Sequence, residues 1–479
     1  MKNYIFIFTL TLTLIGCIGI PEIKESQIRD LKKDSLKTNS HEVFFSKKWW
    51  LYTNDNTLIQ LIDEVLLKNS QIKVAKLNVE KALYTLNSTK FSNVSPIAIS
   101  GNYNRARLDT SVYTDLPIKD IKNSETIDTG ILSLNAEYIF DIWGKFEALK
   151  NRAEYFKDGN ELQLDWTTLT LSTFVSNLYA NYILLSKEEQ ILNERLLIAK
   201  DFISFETTLY STGAANRSSI LESKNYLNNI IQSLNSTAQQ KTIIQNTLYS
   251  LVGEIKSEKI DIALNTIEKE VFNFPFFITT PEFIDSDVII NRSDVKYYLT
   301  LISGQKENLK ALTADFYPRI SISGQYQYYS LNIQDLLKSE TNLWNIGPSF
   351  YLPLFNRRIL KENYKIAGID LNIFIENYNN NVIRAYQDIN NNLNDLKIAN
   401  NNNNLQKKNY NNSKTNYEDA KLLFKIGRMS KYELLKCEND LLSAKFNYIL
   451  NSFNLYQSQI KLVESLGGYY ENKGDINGN

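Results

Sequence analysis

The chain has 479 residues, with 53 basic side chains against 53 acidic ones, so no net charge draws it to nucleic acid. Hydrophobic residues make up 43%, ample for a packed core, and only 17 Gly and 8 Pro leave room for long uninterrupted helices. No apolar run of eighteen or more follows the N-terminus, which excludes a conventional helical membrane protein.

The chain opens with Met1-Lys2-Asn3, an apolar stretch from Tyr4 to Ile15, and then Gly16-Cys17. A charged start, a short apolar core and a small residue at the cleavage point describe a secretory signal over residues 1–16. Leu14-Ile15-Gly16-Cys17 resembles the bacterial lipoprotein box, in which Cys17 becomes the lipidated first residue. Used this way, Cys17 leaves Cys437 as the one remaining thiol and no intramolecular disulfide. Residues 17–56 then form a lipidated N-terminal segment.

From Leu58 a helical stripe runs through Ile62, Val65, Ile72, Val79 and Leu86, with Asp55 and Asn56 supplying N-cap chemistry ahead of it. Ile97 to Asn104 then alternates with a period of two, as does Leu132 to Tyr138, with a polar loop expected over Asp109–Asp128. Lys145 to Tyr210 holds no Pro and one Gly, with Trp166, Leu169, Phe174, Leu178 and Tyr182 on the expected stripe. At about 1.5 Å per residue such a helix reaches roughly 100 Å, longer than a globular domain needs. Gly213 closes it, and Asn216 or Ser219 can cap the return helix.

Residues 255–292 show mixed short patterns and read as a bridge. After it the pattern recurs. Ile99-Ser100-Gly101-Asn102-Tyr103 returns as Ile322-Ser323-Gly324-Gln325-Tyr326, an offset of 223 residues (322 − 99). Leu209 to Gly213 returns as Leu423 to Gly427, an offset of 214 (427 − 213). Two landmarks at nearly one offset imply a duplicated unit, first over residues 57–254 and again over 293–468, with a tail at 469–479. The second hairpin pairs Ile320–Tyr328 with Trp344–Leu352 around Ser330–Thr341. A second long helix then runs from Ile359 to Phe424, and Ser430-Lys431-Tyr432-Glu433 forms a capping box after Gly427. The Asn-rich tracts Asn377–Val382 and Asn400–Leu405 read as solvated helix faces without a function.

Segments of about ten residues, apolar on one face and polar on the other, suit outer-membrane barrel strands. A soluble sandwich with one wet face predicts the same alternation. Four strands cannot close a barrel, and an open edge cannot exist in lipid, so a membrane barrel would have to be shared between copies. Three copies would give twelve strands.

With these features in place the chain resembles the TolC-type outer-membrane efflux proteins, in their lipoprotein branch. The resemblance rests on Trp49-Trp50, Leu58 to Ile62, Tyr138 to Lys145, Arg292-Ser293-Asp294-Val295, Phe316-Tyr317-Pro318, Leu352-Pro353-Leu354-Phe355 and Leu466-Gly467-Gly468, in the family's order. It implies an α+β membrane protein: a long helical barrel plus a transmembrane β-barrel shared by a homotrimer. It also implies a periplasmic adaptor, an inner-membrane pump and outer-membrane lipid as partners, with passive conduction through a gated tunnel. In such proteins the tips after Gly213 and Gly427, with Ser219 and Ser430, dock the adaptor and close the iris. Glu433, six positions beyond Gly427, takes the place of an acidic gate residue, and three copies would form a negative constriction. Ser219 is its first-repeat counterpart, and Lys436 stands where some members carry a further acid. The competing role for Glu433 is as a helix cap.

No catalytic constellation is expected: no CxxC pair, His-rich metal set, phosphate loop or GxSxG elbow occurs, and the one histidine is His41. No cofactor and no metal follow. Two rival functions stay open at this level, a periplasmic coiled-coil structural or adaptor lipoprotein and the exit duct of a protein-secretion system.

Overall fold

The computed structural model describes residues 19–29, 43–94, 97–108, 125–269, 274, 286–353 and 355–472. Cys17, the signal region before it, His41 and Leu354 lie outside these residues. The chain divides into two units.

The first unit comprises Met1–Gln27, Glu80–Gly159 and Tyr298–Asn377 and holds the sheet. Its strands are β2 (Ala98–Leu108), β3 (Glu125–Ile139), β4 (Arg319–Ser330) and β5 (Asn342–Tyr351), all antiparallel in that order. Register puts Ile99, Leu134, Tyr326 and Trp344 in one row across the sheet. On the other face Asn135, Gln325 and Asn345 form a row, and Asn345 Nδ2 donates to Gln325 Oε1 at 3.2 Å. There too the Ser100 and Ser133 hydroxyls lie 2.7 Å apart. One face is thus apolar and aromatic, the other uncharged and polar over these rows. The apolar face is bare in the single chain: Ile99 is 75% exposed, Trp344 71% and Ile346 67%.

The first loop is shorter than expected. β3 begins at Glu125, so Thr126 and Asp128 pair with Arg107 and Arg105 inside the ladder. This loop end of β3, from Glu125 to Ile131, is mostly polar and does not continue the alternation of Leu132 to Tyr138, because Ile131 falls out of step with Leu132. The second loop contains two short 3-10 turns, Ile333–Asp335 and Ser339–Thr341.

At the other end of the sheet the family-like motifs meet. Trp143 stacks on Tyr317 at 4.6 Å and its Nε1 donates to the Pro318 carbonyl at 2.8 Å. Lys145 pairs with Asp315 at 2.5 Å, and Asp141 accepts the Phe146 and Glu147 amides to cap the helix beyond it. An N-terminal arm also lies on this unit. Ile23 fills the notch at Gly368, where a Cβ would come within 2.6 Å of it, and Asn372 bridges the Ser26 amide and the Lys24 carbonyl.

Two very long helices run through the chain, α3 (Lys145–Ser211, 67 residues) and α8 (Arg357–Lys425, 69 residues). The return helices α4 (Arg217–Val252) and α9 (Lys431–Leu466) have 36 residues each. Gly253 and Gly467 close them in the left-handed conformation, at φ 72° and 82°. They lie 214 residues apart (467 − 253), a further landmark of the duplication.

The second unit comprises Ile28–Val79, Asn160–Tyr297 and Tyr378–Asn479. Here the first helical stretch is broken into α1 (Asn56–Lys68) and α2 (Ser70–Thr89). Asn69 makes the break. Its side chain accepts the Gln71 amide at 2.8 Å and donates to the Leu251 carbonyl at 2.8 Å. The apolar stripe survives it: Leu58, Ile62, Val65, Ile72 and Leu86 are buried. On α3 the expected stripe holds at Leu169 and Tyr182, which are buried, but not at Phe174, which is 47% exposed while Leu171, Val175 and Tyr179 are buried. Phe174 is one position out of phase, about 100° around the helix from Val175.

Within the bridge, α5 (Glu258–Lys269) buries Ile260, Leu264 and Ile267. Lys241 of α4 ties it to α3, reaching Glu189 and Glu268 at 2.7 Å each, while the Tyr182 hydroxyl donates to Glu268 at 2.8 Å. Two further helices, the short α6 (Ser286–Asn291) and the longer α7 (Ser293–Ala314), come next. A two-stranded sheet joins β1 (Val43–Ser46) to β6 (Tyr469–Asn472), a pairing that no local sequence pattern announces.

Candidate functional site at the helical tips

Both tips close by the same local geometry. Gly213 at φ 78° donates to the Tyr210 carbonyl at 3.0 Å, and the next amide, Ala214, donates to Leu209 at 2.8 Å. Gly427 at φ 74° donates to Phe424 at 3.0 Å, and Arg428 to Leu423 at 2.8 Å. This paired bonding satisfies the last carbonyls of α3 and α8 and requires a left-handed residue. A Cβ placed on either glycine would meet no atom within 4 Å, so the requirement is backbone conformation and not space.

The return helices start differently. Asn216, not Ser219, caps α4: its Oδ1 accepts the Ser219 amide at 3.1 Å, and the Ser219 hydroxyl donates to the Asn216 carbonyl at 2.9 Å. Ser219 therefore sits in the first turn, bonded back to the cap. On α9 Ser430 is the cap and the box with Glu433 is complete. The Glu433 side chain is exposed, and the hydrogen bonds from the Ser430 amide and then its hydroxyl hold the carboxyl below the usual carboxylate range.

An aromatic and charged seam supports the tips. Tyr432 of α9 packs on Phe202 and Phe205 of α3, with centroids 5.3 and 6.0 Å away. Lys431 reaches Asp201 at 3.6 Å, and the Tyr226 hydroxyl donates to Asn439 at 2.6 Å, linking α4 to α9. Behind this seam α3 packs on α9 through Ile191, Ile198, Leu435 and Leu442, and on α4 through Leu192, Ala199 and Ile230. Sequence reading misses the contacts of Tyr432 with α3 and of Tyr226 with Asn439, since these partners lie 213 or more residues away. Leu422 and Ile426 are 63% and 64% exposed at the second tip, leaving an apolar surface beside Gly427.

No helix among the described residues is long and apolar enough to cross a membrane. The sheet face around Ile99, Trp344 and Ile346 instead presents apolar side chains in the open.

The sequence profile of the outer membrane efflux protein family matches residues 61–254 and 286–468. The toxin and drug export protein A of Aggregatibacter actinomycetemcomitans is 24% identical over 476 residues, spanning 99% of both chains. The cation efflux system protein CusC of Escherichia coli K12 is 22% identical, spanning 96% of this chain and 98% of that one. In structure, the Campylobacter jejuni CmeC outer membrane channel superposes with a TM-score of 0.75 at 22% identity, covering 95% of this chain and 96% of that one. The Vibrio cholerae outer membrane protein VceC gives 0.74 at 19% identity, over 89% and 99%. The two matched segments, the paired tips and the four-stranded sheet agree on one conclusion: this chain belongs to the outer membrane efflux protein family, whose members are efflux ducts and not enzymes.

Proposed function

We propose that the protein is the outer-membrane duct of a tripartite efflux system, passively conducting substrates from the periplasm to the exterior. The observation that carries this reading is the four-stranded sheet with its bare apolar face, whose outer strands β2 and β5 are joined to no further strand among the described residues. Such edges are tolerated in lipid only if they pair with another chain. Three copies close twelve strands. An exposed stripe on α8, Ile359, Ile366, Ile369 and Ile373, supports the same assembly, because its spacing of seven, three and four marks one helix face for a second copy to cover.

In this reading Cys17 carries the lipid anchor, the helical hairpins reach into the periplasm, and the tips at Gly213 and Gly427, with Ser219 and Ser430, receive the adaptor bound to an inner-membrane pump. Glu433 rings the closed end. The relatives' names differ in cargo, toxin and drug in one and cations in another, so the pump sets what is exported.

Single-channel recording in a planar bilayer, with the oligomeric mass measured in parallel, tests it. Discrete conductance steps from a trimer are expected. A monomer that never conducts, even as Glu433→Ala, would overturn the duct in favour of the periplasmic adaptor lipoprotein.

A further inference from the structure

All four helix junctions of the sheet lie at one end, before β2 and β4 and after β3 and β5, and the two loops lie at the other. With the helices in the periplasm, as the duct reading has them, the loop end faces outward, and the site inferred here rests on that orientation. Along the apolar face of β2 run Ile99, Gly101, Tyr103, Arg105 and Arg107, by the period of two. The face changes from apolar to basic after Tyr103.

The change falls at a definite depth. On β3 the same face carries Leu132, Leu134, Ala136 and Tyr138, with Phe140 beyond the strand. The eight steps from Leu132 to Phe140 span about 27 Å along the strand, or roughly 20 Å across a membrane at the usual barrel tilt, close to the height of an outer-membrane apolar band. Asp128 lies four residues further out and is the partner of Arg105 in the ladder. Arg105 therefore sits just past the band, at the level of outer headgroups, where an outward cation costs far less than at the midplane.

The local chemistry suits a phosphate. Arg105 Nε lies 3.4 Å from Asp128 Oδ1, which also accepts the Tyr103 hydroxyl at 3.0 Å. The Arg105 side chain is 67% exposed, so this bridge is weak and steers the side chain without consuming it. The contact engages Nε and leaves the outer edge of the guanidinium fork, which matches two phosphate oxygens. Arg107, exposed two positions on and engaged in an interaction of its own, stands on the same face. We infer that Arg105 and Arg107 form a binding site for the phosphate groups of an outer-leaflet glycolipid of the lipid A type. A soluble acidic partner fits less well, because the same strand face continues directly into Tyr103 and Ile99.

The test uses the full-length protein reconstituted into phosphatidylethanolamine nanodiscs containing bis-phosphorylated lipid A, or the same lipid with its phosphates removed. Lipid A retained per chain after detergent exchange is read by native mass spectrometry. Wild type should retain the phosphorylated lipid about tenfold better than the phosphate-free one, and R105Q/R107Q should lose that preference, the low end of a charge-assisted contact. The exposed Arg358→Gln, at the helix end of the sheet, should behave as wild type. Planar-bilayer conductance of the same preparations separates the two layers of inference. Equal retention by wild type and R105Q/R107Q in conducting preparations overturns the lipid-phosphate site and leaves the duct standing. A wild type that neither conducts nor retains lipid A overturns both.

Discussion

Ser430 and Glu433 hold one another at the start of α9. The carboxylate accepts the Ser430 amide at 2.9 Å and its hydroxyl at 2.8 Å, while the Glu433 amide donates to the same hydroxyl at 3.2 Å. The proposed gate residue is therefore also a structural cap, and its two roles separate by substitution. Glu433→Gln removes the charge and keeps a residue that completes a capping box, whereas Glu433→Ala removes both. If the charge sets the constriction, both variants relax cation preference in single-channel recordings. If only the cap matters, Gln records as wild type and Ala alone differs.

The cap also carries a pH signature. The two bonds from Ser430 lower the Glu433 pKa in the folded chain. A lowered value means the stabilisation is whole above the unfolded pKa, about 4.3, and is lost as pH falls through the folded value. Protection of the first-turn amides of α9, corrected for intrinsic exchange, should be unchanged from pH 7 to about 5 and drop only at more acid pH. Glu433→Gln should show no such drop, and an equal drop in both would remove the carboxylate from the account.

The tips and strands are legible in the sequence because their signals are local. Gly213, Gly427 and the Ser430 box need only their own turns, and the strand alternation needs only a period of two. What stays hidden depends on distant partners. The Asn tracts read as idle faces, yet Asn379 accepts the Arg29 amide at 2.9 Å and Asn403 accepts the Ser452 hydroxyl at 2.9 Å. Tyr378 and Val382, inside the first tract, are core residues. Asn69 looks like one more polar residue in a helix, because its cap matters only once Leu251 is beside it. Ser219 loses the capping role to Asn216, and both candidates satisfy the same sequence rule.

At Gly427, Val should cost about 2 kcal/mol, since φ 74° forces a β-branched side chain into the left-handed region. Asn tolerates that region and should lie closer to wild type. Because the site is open, packing contributes nothing to the difference. Hydrogen exchange over the tip, with adaptor capture in parallel, should rank wild type, Asn and Val in that order. Equal exchange in all three would show that the tip does not need its left-handed residue.

Arg292 fixes the end of α9. Its Nε and Nη2 donate to Asp294 at 3.0 and 2.8 Å, its Nη1 donates to the Ser465 carbonyl at 2.6 Å, and its guanidinium carbon lies 5.6 Å from the Trp166 ring centroid. The Arg292 side chain is only 5% exposed, so Arg292→Met strands a largely buried carboxylate and a carbonyl, a loss of about 3 kcal/mol. The thermal midpoint should fall clearly for Met, and Arg292→Met/Asp294→Leu should recover part of it. No recovery in the double variant would mean that Arg292 acts through the Ser465 carbonyl and its packing on Trp166, and not through Asp294.

The two faces of the sheet give the sharpest test of membrane residence. Leu134 and Gln325 stand on neighbouring strands but on opposite faces. If the apolar face meets lipid, Leu134→Arg places a cation in hydrocarbon at about 2–4 kcal/mol, whereas Gln325→Arg adds a charge to a polar, water-facing row. Leu134→Arg should therefore lower the yield of inserted protein by an order of magnitude or more, and Gln325→Arg should insert normally and alter conductance. In a soluble sandwich packed on its apolar face, Leu134→Arg would also destabilise, but Gln325→Arg would change no ionic current. The combination of failed insertion for one and altered current for the other is what a lipid-facing barrel strand alone requires.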